Sequence, residues 1–129
     1  MRSSLGRLMV LSVLIAQSAA AGGLSPQEAE ARSGVLMTQY LFFTLGQYCA
    51  ENDVAFSAEE IEALQGKIKE FTDKTGLERS TIDKLWNGAQ QAFAAKKATF
   101  GPNDCAIARQ QLATSFPSAF AGDARPNPF

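Results

Sequence analysis

Histidine is missing from all 129 residues, and with it go the commonest general base, the commonest metal ligand and the side chain that changes charge near neutral pH. The usual serine triad is excluded. Cysteine is nearly as scarce: Cys49 and Cys105 are the only two, too few for zinc, which takes about four ligands from Cys, His or acids. They are also too far apart for a Cys-x-x-Cys redox pair. No phosphate loop and no Gly-x-Gly-x-x-Gly motif occurs. The nearest approach to a calcium loop, DKTGLERSTID from Asp73 to Asp83, lacks the glycine at its sixth position and the acid at its twelfth. A haem would need an axial ligand such as Met37, which is better suited to a core. No catalytic, cofactor-binding or metal-ligating residue is expected, and the chain does not read as an enzyme.

Charge of one sign is also lacking. Only Lys96-Lys97 forms a basic pair, placed where a helix would end, so neither nucleic acid nor an anionic lipid surface finds the clustered cations it requires. Carboxylates slightly outnumber basic groups, 13 to 12.

What is present begins with MRSSLGRLMVLSVLIAQSAAAGG. Arg2 and Arg7 make a positive head, Leu8 to Ala16 an apolar run, and Ala19-Ala20-Ala21 a small-residue cleavage pattern. This is the layout of a secretory signal peptide, and the run is short of the roughly 20 apolar residues that span a bilayer. The expectation is a removed segment 1–21, a helical domain 22–116 and a flexible Pro-rich tail 117–129, with no stable membrane span once the segment is gone. The processed chain keeps ten basic and thirteen acidic residues, a net charge near −3. With no Asn-x-Ser/Thr acceptor in the chain, the destination is a bacterial periplasm or the exterior.

An oxidising compartment lets two thiols pair, and two cysteines allow one intramolecular connectivity, Cys49 to Cys105. A thiol in the first turn of a helix has a lowered pKa, which favours reactivity for Cys105. Nucleophilic cysteine chemistry commonly needs a neighbouring His, and none exists. Cys105 is therefore read as a staple.

From Pro26 to Phe116 the hydrophobic pattern is helical, without a period-2 run. Segment one opens SPQEAEAR, with Ser25 as N-cap, Pro26 at the first position and Glu28 closing a capping box. It should reach about Ala50. Segment two starts at Ser57, where Glu60 closes a second box, and stops at Gly76; Ile61, Leu64, Ile68 and Phe71 make its apolar face. Glu59, Glu60 and Glu62 read as a solvated first turn rather than a cation site. Segment three, ERSTIDKLWNGAQQAFAAKK, carries Ile82, Leu85, Trp86, Ala89 and Phe93 on one stripe. Gly88 either bends it or admits a close neighbour. Segment four, GPNDCAIARQQLATSF, should be capped by Asn103 or Asp104. After Phe116 three prolines in thirteen residues end the helical pattern, although Phe120 and Phe129 have the means to dock. The fold class is all-α: a small four-helix bundle with one disulfide, preceded by a signal peptide.

From Ser33 to Ala50 no residue is charged, and VLMTQYLFFTLGQYC is apolar on more than one stripe. A helix that is apolar nearly all round is usually buried by its neighbours. The alternatives are a second membrane span, diluted by Gln39, Gln47, Thr38, Thr44 and Gly46, and a partly exposed helix whose Tyr40, Phe42, Phe43 and Tyr48 wait for a partner. In format, not in motif, the processed chain resembles small exported helical proteins of bacteria with one disulfide, among them acid-stress chaperones and immunity proteins to secreted toxins. That resemblance implies a non-catalytic protein that binds another protein in the cell envelope. A structural or accessory subunit of an envelope complex, and a carrier of a small apolar ligand, are the competing expectations.

Overall fold

The computed structural model describes residues 23–120; the expected signal segment 1–21 and the tail from 121 lie outside the described residues. Four α-helices follow one another: α1 (Pro26–Glu51), α2 (Ala58–Lys74), α3 (Arg79–Lys96) and α4 (Pro102–Ser115), with 3-10 turns at Lys97–Thr99 and Pro117–Phe120. No strand occurs among the described residues. The four-helix bundle and the Cys49–Cys105 bridge are therefore as the sequence implies.

Local chemistry accounts for the helix starts. Ser25 and Glu28 form a reciprocal capping box, as do Ser57 and Glu60, each pair satisfying two backbone N–H groups that the first turn leaves orphaned. The Ser25 backbone N–H, then its side chain, holds the Glu28 carboxyl below the usual carboxylate range. Helix α4 departs from expectation: its N-cap is Gly101, not Asn103 or Asp104, and Asp104 folds back to accept from the Gly101 N–H at 2.8 Å. Pro102, needing no N–H partner, occupies the first turn, and the start lies two or three residues earlier than expected. Helix α2 ends at Lys74 with Thr75 as its C-cap, and Gly76 takes φ +75°, the left-handed geometry that lets the chain reverse.

Helix α1 is the axle. It packs against each of α2, α3 and α4. The Tyr40 hydroxyl lies 3.0 Å from the Thr72 hydroxyl, whose own proton goes to the Ile68 carbonyl, so Tyr40 is the donor. Arg32 donates to the Thr75 carbonyl at 2.8 Å, so α2 runs antiparallel to α1. Helix α3 runs parallel to α1: Tyr40 meets Trp86 edge-on at 5.2 Å, Gln90 donates to the Thr44 hydroxyl at 2.8 Å, and Tyr48 meets Phe93 at 5.4 Å. Helix α4 returns antiparallel, tied at Cys49–Cys105 and by Gln39 to Ser115 at 3.1 Å. The result is an up-down-up-down bundle. Leu36, Leu64 and Leu112 are fully buried at its centre.

No helix of the described residues is long and apolar enough to cross a membrane. Helix α3 runs unbroken through Gly88, where a Cβ would meet only the terminal methyl of Met37, at 3.3 Å. Gly66 on α2 has nothing within 4 Å of such a Cβ. Since glycine inside a helix costs about 1 kcal/mol relative to alanine, Gly66→Ala is expected to raise the melting temperature by about 4 °C or more. Gly88→Ala should give less, because Met37 must move. Thermal denaturation followed by circular dichroism checks both.

Residues 117–120 do not behave as the loose tail read from the prolines. They form a turn that buries Ala119 and sets Phe120 against Phe56 at 6.4 Å and beneath the Arg109 guanidinium at 4.6 Å. The docking alternative is the one these residues show; Phe129 lies outside the described residues.

Candidate docking face

Three neighbours cannot cover a helix that is apolar on every side, so α1 keeps an open stripe. Its residues follow helical spacing: Ala31, Val35, Thr38 and Phe42, with Gly34 and Leu41 beside them. Val35 is 49% exposed, Ala31, Gly34 and Thr38 are exposed, and Leu41 and Phe42 are half-buried. The stripe carries no charge.

Two grooves flank it. Towards the C-terminal end of α1, a groove of about 340 Å³ lies between α1 and α3, with Leu41, Phe42 and Leu45 on one wall, Phe93 and Lys96 on the other, and Phe100 at the end. Phe93 and Phe100 stack at 5.5 Å with planes 13° apart, giving that end a flat aromatic wall. Lys96 is the only charged residue in the lining, and among the described residues no carboxylate lies within ion-pair distance of it. Towards the N-terminal end a groove of about 310 Å³ is formed by Ala31, Arg32 and Val35 of α1 with Phe71, Lys74 and Thr75 around the end of α2. A separate cleft of about 380 Å³ opens between α2 and α3 over Tyr40 and Trp86; its rim charges include Lys69 and Asp73, which pair with each other at 3.3 Å.

The four aromatic residues singled out on α1 divide. Tyr40 and Phe43, 6% and 3% exposed, belong to the core and lie against Trp86. Both side chains lie at the floor of the cleft between α2 and α3, apart from the α1 stripe. Phe42 opens onto the α1–α3 groove, and Tyr48 is half-buried between Phe93 and the Lys97 ammonium, 5.4 Å from its ring centroid. Val35, Thr38, Phe93 and Phe100 were not anticipated as part of this face. The signal for the first two was present, since 31, 35, 38 and 42 alternate four and three like the seam of a coiled coil. Phe93 and Phe100 are brought there only by the fold.

The remaining candidates are structural. Cys49 and Cys105 are bridged and buried, with Cα atoms 5.9 Å apart. Glu60 serves both the capping box and a bidentate pair with Arg109, at 2.6 and 2.8 Å. Among the described residues no three His, Cys, Asp or Glu side chains converge on a metal-sized site. Comparison of the chain with protein-family models, with curated proteins and with solved structures gives no match in any of the three.

Proposed function

We propose that this is a small exported, non-catalytic protein that binds another protein in the cell envelope, and that α1 makes the contact. One observation carries the reading: the central helix, uncharged for 18 residues, leaves an apolar stripe with helical spacing outside the bundle, between two grooves. Apolar helix faces left exposed mark interaction sites, and grooves of this kind accept the i, i+3, i+4, i+7 side chains of an amphipathic helix. The chemistry of the face supports a binding role, because its walls are aliphatic and aromatic, with Lys96 at one groove and Arg32 and Lys74 at the other, and carry no nucleophile–base pair. Export rests on the layout of residues 1–21 and on the bridge, which an oxidising compartment would maintain.

The test is affinity capture from an envelope fraction with the oxidised protein. Phe42→Asp is expected to reduce the captured partner about tenfold or more, as loss of an aromatic anchor does. Ile107→Asp, at a 52% exposed position on α4 that lines neither groove, should leave it unchanged. Equal capture by both variants would remove α1 as the contact. The α1–α3 groove also favours a second reading, carriage of a small apolar ligand: its volume is at the lower end of the roughly 300–1,000 Å³ of ligand sites. Native mass spectrometry showing a bound small molecule, lost in Phe42→Asp, would establish that reading instead.

A further inference from the structure

The geometry points to a ligand site in the cleft between α2 and α3, one that takes a small molecule with an apolar body and a single carboxylate, the body over Tyr40, Phe43 and Trp86 and the carboxylate on Arg79. The cleft shares no lining residue with the two grooves beside the α1 stripe, so the inference stands whether or not that stripe docks a partner.

Helices α2 and α3 each pack on α1 and hardly on each other, and a space of about 380 Å³ opens between them. That volume falls within the roughly 300–1,000 Å³ of small-molecule sites. Along α2 the wall runs from Gln65 to Asp73, about 12 Å at the helical rise of 1.5 Å per residue. The floor is aromatic: Trp86 stands edge-on to Tyr40 at 5.2 Å and tilted to Phe43 at 6.4 Å. Its polar groups are already engaged, since the Tyr40 hydroxyl donates to Thr72 and the Thr72 hydroxyl to the Ile68 carbonyl. An apolar body laid over this floor therefore strips no hydrogen bond from it and removes water from ring surface, the favourable term in such binding.

Charge selects the polar end of the ligand. Lys69, Asp73 and Arg79 rim the cleft; the first two pair at 3.3 Å, which leaves one positive charge. Arg79 begins α3, beside the turn that joins it to α2. Among the described residues no carboxylate lies within ion-pair distance of its guanidinium, and its acidic neighbours in sequence, Glu78 and Asp83, line no part of the cleft. A guanidinium offers a planar fork that meets a carboxylate through two parallel hydrogen bonds. A cationic ligand would find only Asp73, which Lys69 already occupies, and a neutral one would leave Arg79 unused.

Trp86 is the single tryptophan of the chain and lines the cleft, so its fluorescence reports occupancy. Titration of the oxidised protein with 3-phenylpropanoate is expected to give a saturable change in emission with a Kd of about 1 mM or tighter. The uncharged 3-phenylpropanol, with the same apolar body, should bind about tenfold more weakly. Octanoate replaces the ring by a chain, and saturation by either acid supports the site. Arg79→Gln should bring the acids down to the level of the alcohol while leaving the alcohol unchanged; Asp73→Asn, which frees Lys69, should tighten the acids severalfold. Both positions are exposed, and circular dichroism verifies that each variant is folded. No saturable response to either acid up to about 10 mM, acids bound no better than the alcohol, or an acid affinity indifferent to Arg79→Gln each overturns the inference.

Discussion

Removing the bridge, by Cys49→Ala with Cys105→Ala, is expected to lower the free energy of unfolding by about 4 kcal/mol. The cysteines are 56 residues apart, and on the chain-entropy account closing a loop of that length takes about this much from the unfolded state. Both sulfurs are buried at the junction of α1 and α4, so the alanines also leave a small void. Set against the 5–15 kcal/mol that usually holds a domain together, the loss takes a large part of the total. Urea denaturation of the oxidised protein and of the double variant measures it. A difference below about 1 kcal/mol would mean that the unfolded chain is already held compact without the bridge.

Arg109→Met should cost about 3 kcal/mol. The Arg109 and Glu60 side chains are only 16% and 15% exposed, and removing one member of such a pair strands the other's charge in a poorly solvated place. The same guanidinium donates to the Ala55 carbonyl at 2.7 Å and lies over Phe120. Asp53 and Ala55 both have positive φ, 58° and 65°, a region that side chains other than glycine enter at a cost, and Arg109 anchors that loop. Glu60→Gln separates the contributions, because glutamine still serves a capping box while the ion pair disappears. In the Glu60→Gln background Arg109→Met should therefore cost clearly less. Strict additivity across the double-mutant cycle would show that the pair contributes nothing. The exposed pairs Lys67–Glu70 and Lys69–Asp73, at 3.9 and 3.3 Å, should contribute a few tenths of a kcal/mol each at most.

These two interactions differ in how far the sequence discloses them. The bridge follows from a count of two cysteines, and helices α1 and α2 from capping boxes written in consecutive residues, Ser25 with Glu28 and Ser57 with Glu60. Local chemistry is legible because it acts between near neighbours. Arg109 and Glu60 are 49 positions apart, and nothing in either neighbourhood marks them as partners. The α4 cap was misplaced for a related reason: Asp104 does supply the oxygen, but it reaches back from the third position of the helix to Gly101 instead of standing at the boundary.

The candidate face illustrates a different loss of information. On α2 the apolar positions are confined to one side, so Leu64 and Ile68 can be assigned to the core from spacing alone. On α1 apolar residues occupy every side, and the spacing has no phase left to assign. Tyr40, Phe42 and Phe43 are equivalent in sequence terms, yet the first and third point at Trp86 while the second lies in the groove. Which side stays open depends on where three other helices settle. Charge was the better indicator: the stretch without any charge contains both the core side of α1 and its open side.

Helix α4 is fastened at its start by sulfur, one turn later by Arg109, and at its end by the turn that buries Ala119. Helix α3 has none of these fastenings and its N-terminus lacks a side-chain cap; close packing of Trp86, Gly88 and the fully buried Ala89, with one amide–hydroxyl bond from Gln90, joins it to α1. The wall of the α1–α3 groove that carries Phe93 and Lys96 is thus placed by surface fit instead of by a clasp, its position following from how Tyr40, Thr44 and Tyr48 seat Trp86, Gln90 and Phe93 in turn.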